Sequence, residues 1–244
     1  MRIVILIVTI FFIVVRVHAQ EVKIVTEDLP PYQVIKNKKV GGFATEIVEA
    51  VFKEAGASPK IRVYPWVRAY KMALEQENVL IYSIVRSKQR EPLFKWLGEL
   101  DEVRYYFFGL QSRRDIQIQS IEQAKQYKTG VTEESVEYQE LHKRGFSRLK
   151  IVTRQTQLVE MLYKKRFDLL FGSELPVAVM VENSNRDYSQ LKKFYEIKEM
   201  RLKLYMAFSQ KTSDALVSKY RKAYESVKNK NIYSTIKDKW FGKR

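Results

Sequence analysis

The chain has 244 residues, a formal net charge of +16 and no cysteine. The missing thiols exclude disulfide staples, thiolate catalysis and cysteine-held zinc or iron–sulfur centres, while a chain this long buries an adequate core without disulfides. Lysine and arginine are scattered and accompany no nucleic-acid reading motif, so the charge reads as solvated basic surface and no nucleic-acid partner is expected.

Residues 1–19, MRIVILIVTIFFIVVRVHA, have a cationic start at Arg2, an apolar core from Ile3 to Val15 and a small-residue end at Val17-His18-Ala19. That is the pattern of a secretory signal peptide, with an apolar core too short to span a bilayer comfortably. From Gln20 onward no stretch approaches the ~20 apolar residues of a membrane helix. A soluble, exported mature chain is expected.

EVKIVT (21–26) has the β-branched pattern of a strand, and DLPPYQ closes it with two prolines. Gly41-Gly42 opens a helix whose apolar stripe is Phe43, Ile47, Val48, Val51, Phe52 and Ala55, stopped by Gly56. KIRVY (60–64) is a second strand, Pro65 starts the helix VRAYKMALEQ, and VLIYSIV (79–85) is a third strand, apolar on both faces. Strands alternating with helices predict parallel strands joined by crossovers.

RYYFFGLQ (104–111) is strand-like, and the charge balance changes after it: residues 113–200 hold 16 basic and 13 acidic groups, so the remainder carries most of the excess. Ser120 with Gln123 forms a capping-box pattern. KTGV (128–131) is strand-like, and Ser135 caps a helix running to about Lys143, ended by Gly145. RLKIVT, a helix over about 156–165, and FDLLFGS then repeat strand, helix, strand. KLYMAFS (203–209) is again a strand, followed by helical stripes through Leu216, Tyr220, Ala223, Tyr224 and Val227, then Ile232, Ile236 and Trp240. The tail shares the basic charge of the first unit, which predicts a second lobe inserted into the first. The chain then crosses between lobes twice, near 109–114 and 199–204, with a cleft at the hinge.

Catalytic equipment is sparse. His18 falls in the leader and His142 sits beside Lys143 and Arg144 without a partner motif. There is no GxSxG, Gly-rich phosphate loop or HExxH, and no metal or cofactor is implied. Binding equipment is richer. Tyr32 follows the first strand, Trp66 and Arg68 the second, Arg86 and Arg90 the third. In a parallel α/β sheet the loops at the carboxyl ends of adjacent strands meet in one crevice. There, aromatic faces cover a ligand body and a guanidinium grips a carboxylate. Taken singly, Trp66 and Tyr32 read as core aromatics, Arg86 and Arg90 as a solvated loop and Arg68 as a solvent-facing helix residue; their common end of the sheet is what marks them.

The ordered segments LPPY (29–32), GGFATEIVEAVF (41–52), YPWVRAYKMAL (64–74), IVRSKQREPLFKWLGEL (84–100), KTGVTEESVEYQEL (128–141) and KRFDLLFGSELP (165–176) resemble the extracellular solute-binding proteins of family 3. The resemblance implies an α/β, two-lobed periplasmic-binding-protein type II fold. Lobe 1 would hold 20–111 and 202–244, with lobe 2 at 112–201 inserted through a two-strand hinge. It implies a monomer in a Gram-negative periplasm that binds an amino acid or related carboxylate for an ABC transporter permease. Residue by residue, the carboxylate grip falls on Arg90, with Arg86 in support. The stacking aromatic falls on Trp66, with Tyr32 as second wall. The acidic residue for the ligand amine falls on Glu174, with Ser173 next to it.

One departure stands out. TEES replaces the family's Gly-Ser or Gly-Thr turn, so Ser135 keeps a hydroxyl and a helix start, but Glu133 and Glu134 set negative charge where a ligand carboxylate is expected. Two alternatives follow from the same scaffold. One is a dehydratase-like enzyme, with Glu174 or Glu27 as general acid or base; the other is a ligand-sensing module without transport.

Overall fold

Eight strands join in one mixed sheet because two of them are long enough to serve both halves of the chain. The computed structural model describes residues 21–242, and the expected leader at 1–19 lies outside them. In chain order the elements are β1 (Lys23–Thr26), β2 (Val34–Lys36), β3 (Lys39–Gly41), α1 (Phe43–Glu54), β4 (Ile61–Val63), α2 (Trp66–Glu75), β5 (Val79–Val85) and β6 (Phe94–Leu110). There follow α3 (Ile121–Ala124), β7 (Thr129–Thr132), α4 (Val136–Lys143), β8 (Leu149–Val152), α5 (Thr156–Tyr163), β9 (Leu169–Ser173), α6 (Glu174–Asn183), β10 (Leu191–Ser209), α7 (Asp214–Asn229) and α8 (Ile232–Phe241).

The sheet order is β4-β1-β5-β10-β6-β9-β7-β8. β1 is parallel to β4 and β5, so the three predicted strands end on one edge, at Thr26, Val63 and Val85. β7 is likewise parallel to β8 and β9. β10 and β6 run antiparallel between these two groups. All seven residues of β5 are buried, as a strand covered on both faces requires.

A register break interrupts the pairing of the two long strands. Glu196 pairs with Tyr106, and the next pair is Arg201 with Arg104, so β10 spends extra residues opposite Tyr105. Such an irregularity locally disrupts the ladder between β10 and β6. The break leaves residues 197–200 of β10 opposite Tyr105 of β6.

The lobe 1 core forms where α1 meets α7 and the sheet. Phe43, Ile47, Val48 and Val51 are fully buried, and Phe52 packs on Tyr220 with ring centroids 4.5 Å apart; each such side chain is worth roughly 1.5–3 kcal/mol of burial. The predicted cap at Gly42 has a strict cause: its φ is 108°, and a Cβ there would sit 2.5 Å from the Tyr32 carbonyl oxygen. α8 is tied back to β6 by the Tyr233 hydroxyl, which donates to the Leu100 carbonyl at 2.7 Å, and by Lys237, which donates to Asp101 at 2.9 Å. Among the described residues no helix is long and apolar enough to cross a membrane.

Candidate functional site

The carboxyl ends of β1, β4 and β5 bring Glu27, Trp66 and Arg90 to one crevice, and the second lobe closes on it with Thr132, Ser135, Glu137 and Gln155. Arg90 stands at the centre. The chain turns sharply after β5, with the Arg90 N–H donating to the Ser87 carbonyl at 3.0 Å, and this folds the side chain inward until it is 1% exposed. Its guanidinium carbon lies 5.2 Å from the Trp66 ring centroid and 5.1 Å from that of Tyr70. The Trp66 and Tyr70 rings stack on each other at 5.4 Å, four residues apart on α2. A desolvated cation over aromatic faces gains about 2 kcal/mol, which offsets part of the cost of burial. Burial pulls the Arg90 pKa down, opposed first by Tyr70 and then by Glu137.

The second lobe supplies an unusual acceptor. Glu134 has a φ of 54°, in the turn that leads into α4. Its carbonyl takes two hydrogen bonds from the first lobe, one from Trp66 Nε1 at 2.9 Å and one from Arg90 Nη2 at 3.1 Å. Arg90 Nη1 lies 3.5 Å from the Val85 carbonyl, and buried Nε has no partner. The Thr132 hydroxyl, on the opposite lobe, is also buried and unpartnered. Between them is an inner cavity of about 30 Å³, room for a couple of waters. An outer chamber of about 180 Å³, lined by Tyr64, Pro65, Asp28 and Arg154, adjoins it and shares Glu27, Trp66 and Gln155.

Two carboxyls face this cleft. Burial pushes Glu27 up to about 8, helped by the negative charges of Glu137 and Asp28 and opposed by Arg90. Burial also raises Glu137, in the first turn of α4, while its own backbone N–H, the Ser135 hydroxyl and Arg90 hold it down. Ser135 caps the helix, its oxygen accepting from the Tyr138 N–H at 3.1 Å. The cleft thus pairs one sealed cation with two acids reluctant to ionise, an arrangement suited to receiving a positive group.

The remaining expected residues are dispersed. Ser173 lines the inner cavity at the end of β9. Tyr32 does not: it is buried against Phe43 and Phe241, with its hydroxyl donating to Asp101 Oδ2 at 3.0 Å. Tyr70 stacks on Trp66 and packs against Arg90 without lining either cavity, and the further aromatic side chain lining the outer chamber is Tyr64. Glu174 begins α6, pairs with Lys193 and lines neither of these cavities; it borders a separate pocket with Tyr32, Arg104 and Tyr188. Arg86 is exposed, held by Glu91 at 2.6 Å and stacked between Trp96 and Tyr205. Arg68 is exposed and sits over Tyr64 at 4.3 Å. His142 is exposed, and no metal-holding group of side chains occurs among the described residues.

Glu137, Thr132, Gln155 and Tyr105 were not legible as cleft residues. An acid in a first helical turn is ordinarily explained by the dipole, and the others depend on how the lobes close. Tyr70 carried a signal, its i,i+4 spacing from Trp66.

The family model for bacterial extracellular solute-binding proteins, family 3, matches residues 22–243. No curated protein matches the chain. Among solved structures, a histidine kinase sensor domain with similarity to periplasmic binding proteins aligns with a TM-score of 0.81 at 16% identity, over 91% of this chain and 96% of that one. The arginine-, lysine-, histidine-binding protein ArtJ from the thermophilic bacterium Geobacillus stearothermophilus aligns at 0.78 and 19%, over 92% and 96%. An ancestral arginine-binding protein bound to arginine aligns at 0.80 and 19%, over 91% and 98%. These likenesses show the periplasmic-binding-protein type II fold.

Proposed function

This chain belongs to the bacterial extracellular solute-binding proteins, family 3, and within that family we propose that it captures a small polar solute bearing an ammonium group, of the amino-acid class, without chemical turnover. The observation that carries the reading is the sealed Arg90 guanidinium, with Glu27 on the same lobe and Glu137 on the opposite lobe lining one inner cavity. A solute's ammonium group would be drawn to the two acids, its hydrogen-bond acceptor to the Arg90 Nε–H, and its body to the face of Trp66. Hinge closure about the break in β10 would trap it. Delivery from the periplasm to an ABC transporter permease by a monomeric protein is part of this reading; the arginine-binding proteins among its structural relatives support the amino-acid class of the solute.

The test is a thermal-shift screen followed by calorimetry with amino acids, amines and small carboxylates. Stabilisation by ammonium-bearing members, lost in Arg90→Met, is the expected result. No stabilisation by any of them would sink the reading. A second reading, ligand sensing without transport, is favoured by the likeness to the histidine kinase sensor domain. It separates from the first by whether ligand uptake into cells depends on the protein.

A further inference from the structure

Where a solute's carboxylate would meet the second lobe, the chain has placed an acid of its own. α4 starts at Val136, and Glu137 in its first turn accepts from its own backbone N–H and from the Ser135 hydroxyl. Glu137 lines the same inner cavity as Arg90 and lies within its field. The donors at this helix start and part of Arg90's positive charge are therefore already answered from within. What stays unanswered is specific: Arg90 Nε–H, a donor, and the Thr132 hydroxyl, both buried and without partners, on either side of a cavity of about 30 Å³. A neutral carbonyl or hydroxyl oxygen satisfies that donor. A full carboxylate brings a second negative charge against Glu137 in the same closed cavity.

We propose that Glu137 is a specificity-determining residue, supplying the anion of the cleft so that it favours a solute with an ammonium group and a neutral hydrogen-bond acceptor over one with a free carboxylate. The ammonium faces Glu27 and Glu137, and the neutral oxygen accepts from Arg90 Nε. Like charges set against each other in a closed site discriminate strongly. The proposal rests on the ammonium-binding reading above and narrows its ligand class.

The experiment compares matched pairs by isothermal titration calorimetry at neutral pH: arginine with argininamide, glutamine with glutaminamide, phenylalanine with phenylalaninamide. The wild type is expected to bind the amide of at least one pair more tightly than its parent acid, by about tenfold or more. Glu137→Gln should erase that ratio by gaining affinity for the acid. Glu137→Asp keeps the charge and should keep the preference, which separates a charge effect from a weakened α4; thermal melting of each variant checks that it is folded. A wild-type preference for the acids, or a ratio unmoved by Glu137→Gln, overturns the proposal and leaves the ammonium reading standing. Silence from both members of every pair overturns both.

Discussion

Replacing Glu27 by glutamine removes the carboxyl that most strongly ties stability to pH near neutrality. Burial beside Glu137 and Asp28 pushes it up to about 8, against an ordinary value of 4.5 for the unfolded chain. Between those values the folded form keeps a proton that the unfolded form has lost, so stability falls as pH rises. The contribution is fully present below about 4.5 and is lost as pH climbs through about 8. One whole proton of difference gives a slope of about 1.4 kcal/mol per pH unit. Glu27 is only partly buried at the cleft mouth, and screening by solvent reduces this to roughly half. Between about pH 5.5 and 7.5 the wild type should therefore lose about 1.4 kcal/mol relative to Glu27→Gln, or about 3–6 °C in Tm for a chain of this size. Differential scanning fluorimetry of both proteins across that interval measures the difference, in which the other titrating groups cancel. Parallel Tm curves, or a wild type that gains on the variant as pH rises, would refute the reasoning.

Capture of an ammonium solute at pH 7 should ionise Glu27 and release its proton, so calorimetric enthalpies should vary with the ionisation enthalpy of the buffer, and Glu27→Gln should abolish that variation. Trp66→Phe keeps the ring against Arg90 but removes the indole donor to Glu134. Because Arg90 still donates to that carbonyl, the loss should be about 1 kcal/mol in urea unfolding, with the slope unchanged. Gly98→Ala would set a Cβ 2.5 Å from the Tyr224 ring, whose hydroxyl is tied to the Glu99 carbonyl at 2.6 Å. The ring has little freedom to retreat, so about 1–3 kcal/mol of stability should be lost, read as a lower Tm with an unchanged ligand preference.

The fold was legible where local pattern and global role coincide. The strand ends at Thr26, Val63 and Val85, the helix after Gly42 and the cap at Ser135 all follow from apolar period and turn chemistry. The hairpin of β2 and β3 escaped notice because its strands are short and none of their residues is buried. The site was legible from one side. Trp66 and Arg90 are placed by the parallel topology of lobe 1, whereas the second lobe's share depends on closure. There the Glu134 backbone carbonyl, which carries no side-chain signature, meets both residues. Tyr32 and Glu174 show the limit of spacing arguments: each lies near a strand end, but local backbone direction turns one into the core and the other toward Lys193.

The most direct test of the binding account is calorimetry of wild type and Arg90→Met with the tightest ammonium-bearing solute from the screen. Truncating a buried, hydrogen-bonded charge at a binding contact costs about 2–5 kcal/mol. The account therefore predicts that affinity falls by about 30-fold or more while the variant remains folded. Equal affinity in the two proteins would contradict it.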